Sequence, residues 1–165
     1  TTDELTGLRN RRSMAAILEY ECERSARSGS YFAIVLCDID HFKRVNDTYG
    51  HPCGDLILKS VASVLTTEIR SQDQVARWGG EEFLLLLPET DETGARNVAE
   101  KTRAAIEQTT TACDDHEIGI TITFGVAEAG PGDSVGAVVE RADRALYSGK
   151  ALGRNRVVVE TREGE

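Results

Sequence analysis

Residues 31–37, Tyr-Phe-Ala-Ile-Val-Leu-Cys, form an unbroken apolar run of strand length that stops abruptly at Asp38-Ile39-Asp40. A strand with one solvated face alternates apolar and polar residues, so a run without polar positions is expected to be covered on both faces. This segment should therefore be the central strand of a layered fold. Its carboxylates come at the strand's C-terminal end, where ligands collect in α/β folds.

The rest of the chain supplies the covering layers. Met14, Ile17 and Leu18 are spaced for one face of a helix over residues 11–27, which Ser28-Gly29-Ser30 ends. A short helix over 42–49 is closed by Gly50 and Pro52, and a longer one carries Ile57, Val61, Val64 and Leu65 on one face. After the turn Arg70-Ser71-Gln72-Asp73, residues 75–78 and 83–87 read as two strands joined through Gly79-Gly80-Glu81-Glu82, with Pro88 as a stop. Thr90 or Asp91 caps a helix with Ala95, Val98, Ala99, Thr102 and Ile106 inward. Residues 109–116 read as a polar connection. Ile118, Ile120, Ile122 and Phe124 alternate with polar residues or glycine, which predicts one half-buried strand running on to Ala127. Ser134 caps a last helix and residues 157–159 form a last strand. This order describes an α+β fold, an α/β sandwich in which helices flank a central, mostly antiparallel, five-stranded sheet. The 165 residues suit one domain, residues 1–160, followed by a tail at 161–165.

Adjacent residues of a strand point to opposite faces, so Glu81 and Glu82 are expected on opposite sides, or Glu82 is expected to hold the turn. If the hairpin lies beside the central strand, Glu81 meets Asp38 and Asp40. Carboxylates that close repel one another unless a cation sits among them, and hard oxygen ligands select Mg²⁺ or a similar ion. Asp40 is alternatively a cap for the helix that follows it. Lys43, Lys150 and Arg154 are surface charges individually and suit a polyphosphate together. Asn46 and Asp55 are either a helix end and a helix start or, as an amide and a carboxylate, a pair able to read the edge of guanine.

No apolar run approaches the ~20 residues of a membrane span. The net charge of −9 argues against a nucleic-acid polymer as partner, because such binding rests on basic surfaces. Cys22, Cys37, Cys53 and Cys113 lack C-x-x-C spacing and read as reduced thiols, which favours the cytoplasm. The chain opens at Thr1 without Met, which leaves room for sensory domains or a membrane anchor in a longer protein.

Arg77-Trp78-Gly79-Gly80-Glu81-Glu82-Phe83 resembles the signature of the GGDEF family of diguanylate cyclases, in its GGEEF form. The likeness extends over nearly the whole chain. It includes Asp3-Glu4-Leu5-Thr6-Gly7-Leu8 with Asn10-Arg11-Arg12, Asp38 through Lys43 with Asn46-Asp47, Gly50-His51 with Gly54-Asp55, and Tyr147 with Lys150 and Gly153-Arg154-Asn155. The resemblance implies a nucleotidyl cyclase or polymerase palm fold and an enzyme that condenses two GTP into cyclic di-GMP and two pyrophosphates. It implies that Asp38, the Ile39 carbonyl and Glu81 hold Mg²⁺, with Mn²⁺ as an alternative ion. Lys43, Lys150 and Arg154 would bind phosphates, Asn46 and Asp55 guanine, and Gly79-Gly80 would let the backbone approach the phosphates. Asp38, Lys43, Glu81 and Glu82 are the expected catalytic group, with the role of Glu82 open. Two such domains meet head to head, so a homodimer and an upstream regulatory domain are implied, with no membrane contact by this domain.

Arg70-x-x-Asp73 lies at the spacing from Gly79 at which the family carries an inhibitory product site. It is otherwise a turn salt bridge. Arg96, Lys101 and Arg103 are candidates for the other half of such a site. The competing reading of the whole is a non-catalytic sensor of GTP or cyclic di-GMP.

Overall fold

The computed structural model describes residues 1–162. The chain runs α1 (Arg11–Ser28), β1 (Phe32–Ile39), α2 (Phe42–Tyr49), α3 (His51–Thr67), β2 (Gln74–Arg77), β3 (Glu82–Pro88) and α4 (Glu92–Glu107). It continues through β4 (Thr110–Cys113), β5 (His116–Gly119), β6 (Ile122–Ala129), α5 (Val135–Ala151) and β7 (Val157–Glu160).

β1 is buried at all eight positions and lies at the centre of a five-stranded sheet ordered β2-β3-β1-β6-β7. All pairings are antiparallel except β6 with β7. Alternation along β1 feeds two cores. Ala33, Val35, Cys37 and Ile39 pack with Ile57, Val61 and Leu65 of α3 and with Ala95, Ala99 and Ile106 of α4. Phe32, Ile34 and Leu36 pack with Met14 and Leu18 of α1 and with Val138, Ala142 and Leu146 of α5. Phe32, Phe83 and Phe124 are among the largest fully buried side chains, and burying each contributes roughly 1.5–3 kcal/mol. Asn10, Asp91 and Ser134 cap α1, α4 and α5 by accepting from Ser13, Gly94 and Ala137 N–H.

Three expectations need correction. The strand expected from Ile118 to Ala127 is two strands in two sheets, β5 and β6, with Ile120 and Thr121 between them. Residues 109–116, expected as a polar connection, supply β4 and the start of β5, which form their own hairpin sheet. β6 is buried at every position but Glu128 rather than half buried, because Gly125 faces α5 so closely that a Cβ there would lie 2.2 Å from Ala142 O and 2.5 Å from Leu146 N.

The cysteines differ as well. Cys53 and Cys113, read as reduced thiols, are joined in a disulfide, while Cys22 and Cys37 are free. The pair is 60 residues apart in sequence and 5.7 Å apart between Cα atoms, so proximity comes from α3 packing on β4 and leaves no spacing motif. The composition argument for a reducing compartment falls with it. Of the tail expected at 161–165, Arg162 pairs with Asp133 at 3.1 Å, and residues 163–165 lie outside the described residues.

Candidate active site

β1 delivers Asp38 to the edge of the sheet, and β3 delivers Glu82 directly opposite it. Glu81 precedes β3, and its carbonyl accepts from Ile39 N–H at 3.2 Å. Glu81 lines a cavity with Asp38, while the Glu82 side chain packs against Gly79 of the turn, and the Asp38 charge acts on both. Burial pushes the Glu81 carboxyl up to about 7, reinforced by the Asp38 charge and a hydrogen bond shared with it, against the pull of Lys150. Glu82 is raised too, first by burial and then by Asp38, with Lys150 and Arg11 opposing. Lys150 from the last turn of α5 donates to Asp38 Oδ2 at 2.9 Å.

Asp40 lines the same cavity as Asp38 and Glu81, but it does not cap α2 and its carboxylate is engaged elsewhere. Its carboxylate accepts from Thr121 Oγ1 at 2.7 Å, Thr123 Oγ1 at 2.6 Å and Asn155 N–H at 3.0 Å. It binds the end of β1 to the start of β6 and to the loop before β7. His41, in the left-handed region at φ 56, is the residue before α2 and makes no side-chain cap there.

Asp38, Ile39, Lys43, Glu81, Lys150 and Arg154 line one cavity of about 200 Å³. The metal and phosphate residues expected from sequence are therefore assembled in one place. Lys43 is 91% exposed at the rim and reaches Asp47 at 3.5 Å. Arg154 sits in a left-handed turn at φ 64, pinned by its N–H to Gly149 O. The fit to a divalent cation can be judged from the carboxyls. Asp38 and Glu81 share a hydrogen bond, burial and the Asp38 charge push the Glu81 carboxyl up, and Lys150 is the compensating cation beside them. Two carboxylates and a backbone carbonyl also match the sparse protein ligation of Mg²⁺, which keeps positions for water and phosphate oxygens. The residues fit the ion. Elsewhere among the described residues, Cys53, Cys113 and Asp114 bring metal-binding atoms within 4.8 Å, but the disulfide occupies both sulfurs.

Asn46, Asp55, Gly79 and Gly80 do not line the 200 Å³ cavity. Asn46 lies at the C-terminal end of α2 with a buried Oδ1 that has no hydrogen-bond partner, close against Gly54, where a Cβ would come within 1.9 Å of it. Asp55 is exposed just past the first turn of α3. A larger cavity of about 450 Å³, bounded by His41, Arg44, Tyr49, Glu107 and Glu117, is reached by Asp40 but by none of the expected metal, phosphate or guanine residues.

The glycine turn is braced by residues that sequence spacing did not single out. Arg77 donates to Gly80 O through Nε at 3.1 Å and Nη2 at 2.7 Å, and through Nη1 to Asp3 at 3.2 Å. Arg11 lies over the Trp78 ring, 4.3 Å from its centroid. Arg77 and Arg11 both lie inside recognised motifs, and that membership was the available signal.

Arg70 and Asp73 behave unequally. The Asp73 side chain is 1% exposed and accepts from Arg70 N–H at 2.9 Å, fixing the turn. The Arg70 guanidinium is 53% exposed, donates to Thr90 Oγ1 at 2.6 Å and borders a cavity with Tyr31, Asp91 and Val98. Lys101 pairs with Glu68, and Arg103 with Glu100 and Glu107, while Arg96 is exposed.

A family model described as "Diguanylate cyclase, GGDEF domain" matches residues 1–156. Diguanylate cyclase DgcP of Pseudomonas aeruginosa is 43% identical over 162 residues, which is 96% of this chain and 24% of DgcP. The response regulator PleD of Caulobacter vibrioides is 41% identical over 160 residues, 95% of this chain and 35% of PleD. The crystal structure of the GGDEF domain of DgcB from Caulobacter crescentus, in complex with c-di-GMP, matches with a TM-score of 0.93 at 37% identity, covering 96% of this chain and 95% of that one. The chain thus spans about a quarter to a third of the length of these two curated relatives.

Proposed function

The chain belongs to the GGDEF family of diguanylate cyclase domains, and from that premise we propose that it condenses two GTP into cyclic di-GMP and two pyrophosphates. The observation that carries the proposal is the meeting of Asp38, Glu81 and Lys150 in a cavity whose remaining wall includes Lys43 and Arg154. Acids that repel each other beside cations suit a metal-bound polyphosphate.

Asp38, the Ile39 carbonyl and Glu81 would hold Mg²⁺, which supplies charge neutralisation and activation of a hydroxyl in phosphoryl transfer. Lys150 holds the Asp38 carboxylate in place and adds positive charge for phosphate oxygens. Lys43 and Arg154 bind the outer phosphates, and the Gly79-Gly80 backbone comes close to them without a Cβ in the way. Asn46 and Asp55 read guanine. The buried, unpartnered Oδ1 of Asn46 has acceptor capacity for a base N–H, and the Asp55 carboxylate matches the N1–H and exocyclic amine of guanine, whereas adenine has no N1–H. The 3′-hydroxyl of each GTP attacks the α-phosphate of the other: two P–O bonds form, two break, and two pyrophosphates leave. One chain supplies half of that site, so two copies face each other. Residues 1–160 act as one domain, and partners or regulatory regions belong to a longer protein.

Product restrains the enzyme at Arg70. Asp73 holds the turn and the exposed guanidinium grips guanine or phosphate bidentately.

Incubation with GTP and Mg²⁺ over a range of protein concentrations tests this reading. Cyclic di-GMP and pyrophosphate should appear at a specific rate that rises with protein concentration. Nucleotide binding without either product would leave a sensor domain in place of an enzyme.

A further inference from the structure

The β4–β5 hairpin stands outside the main sheet, and a two-stranded ribbon is marginal on its own. It is fastened to the body by the buried Ile118, by an edge contact between the Tyr49 and His116 rings at 5.0 Å, and covalently by Cys53–Cys113. The covalent link enters α3 at its first turn. Cys53 immediately precedes Gly54, whose Cα packs against Asn46 Oδ1 without room for a methyl group, and Asp55 follows. The disulfide is thus one bond from the segment that places both residues read above as guanine contacts.

We propose that Cys53–Cys113 is a thiol–disulfide exchange site for a dithiol reductant, and that its redox state sets how firmly the first turn of α3 is held and hence the affinity for nucleotide. The affinity part rests on the reading of Asn46 and Asp55 as guanine contacts.

Cys113 is the sulfur reached first. It is 7% exposed against 1% for Cys53, and residues 114–117 beyond it are all exposed, so a local opening of this tip uncovers it. A thiolate of the reductant attacks Cys113 Sγ and breaks the S–S bond, and Cys53 leaves as a thiolate that takes a proton from solvent. The second thiol of the reductant then attacks its own sulfur in the mixed disulfide, releasing Cys113 as a thiolate that is protonated in turn. Two electrons pass to the pair, and the reductant departs as a disulfide. Reclosure runs the same exchange backwards, with a disulfide oxidant accepting the two electrons.

The test compares air-oxidised with dithiothreitol-reduced protein. Thiol titration of the denatured, unreduced protein should find two thiols, Cys22 and Cys37; finding all four overturns the proposal. Amide hydrogen exchange over residues 51–58 should accelerate roughly tenfold on reduction. GTP KM should rise about 3–10-fold with kcat within about twofold, the pattern of a loss in binding alone. Cys53→Ser and Cys113→Ser should each resemble the reduced protein in either condition, while Cys22→Ser keeps the redox response. Unchanged exchange over residues 51–58 overturns the anchoring, whatever the activity. Accelerated exchange with equal KM in both states overturns the link to nucleotide. Accelerated exchange in a protein that turns over no GTP in either state supports the anchoring and counts against the cyclase reading instead.

Discussion

Glu81 and Arg70 carry the sharpest consequences of single side chains. Glu81→Gln keeps the size and hydrogen-bonding reach of the side chain and removes its negative charge. It should lower Mg²⁺-dependent turnover by about 10²-fold or more while the thermal midpoint stays or rises, since the removed acid is crowded by Asp38 and Glu82. Turnover with GTP and Mg²⁺, read beside a melting curve, checks both halves. If product is gripped by Arg70 as proposed, Arg70→Ala should leave the initial rate unchanged and shift the product-inhibition curve to at least tenfold higher cyclic di-GMP, while the buried Asp73 still accepts from the residue 70 N–H. The meeting of Asp38 with Glu81 was legible in sequence because each sits in a motif whose spacing fixes its register. The environment of Asp40 was not. Thr121 and Thr123 look like the solvent side of an alternating strand, yet both hydroxyls donate to its carboxylate.

At the scale of elements, β1 and the glycine hairpin were readable because their patterns are local: an apolar run, a pair of glycines and a proline stop. The β4–β5 hairpin was not, because residues 109–116 show neither alternation nor a two-residue turn signal, and its place is set by Ile118 and the disulfide. β6 was misread as half buried for a related reason: the close approach of α5 depends on Gly125, and a single glycine in a strand pattern does not report what covers it. Gly125→Ala would drive a methyl into the α5 backbone at Ala142 and Leu146, where no side chain can swing away. A loss of about 2–3 kcal/mol is expected, read as a lower urea midpoint with an unchanged slope.

For the whole molecule, the charge of −9 leaves acid stability to the acids that are paired. Burial alone would raise the Asp133 pKa, but hydrogen bonds from Arg141 and the Gly130 N–H, with the charges of Arg141 and Arg162, hold it below 3.8. A folded-state pKa below the unfolded one contributes stability above pH 3.8 and loses it as pH falls through the folded value. The urea midpoint should therefore drop more steeply below about pH 4 in the parent protein than in Asp133→Asn, and equal slopes would remove Asp133 from the account. Asp3 is likewise held low: burial again raises it, and Thr6 with Arg77 outweighs that. Its bond to Arg77 reaches beyond stability. Asp3 grips one nitrogen of the guanidinium whose other nitrogens hold Gly80 O, and Arg9 forms a bridge to Ala76 beside them. Residues 1–9 and the glycine turn are thus tied together through a single guanidinium, beside the cavity where Glu81 meets Asp38.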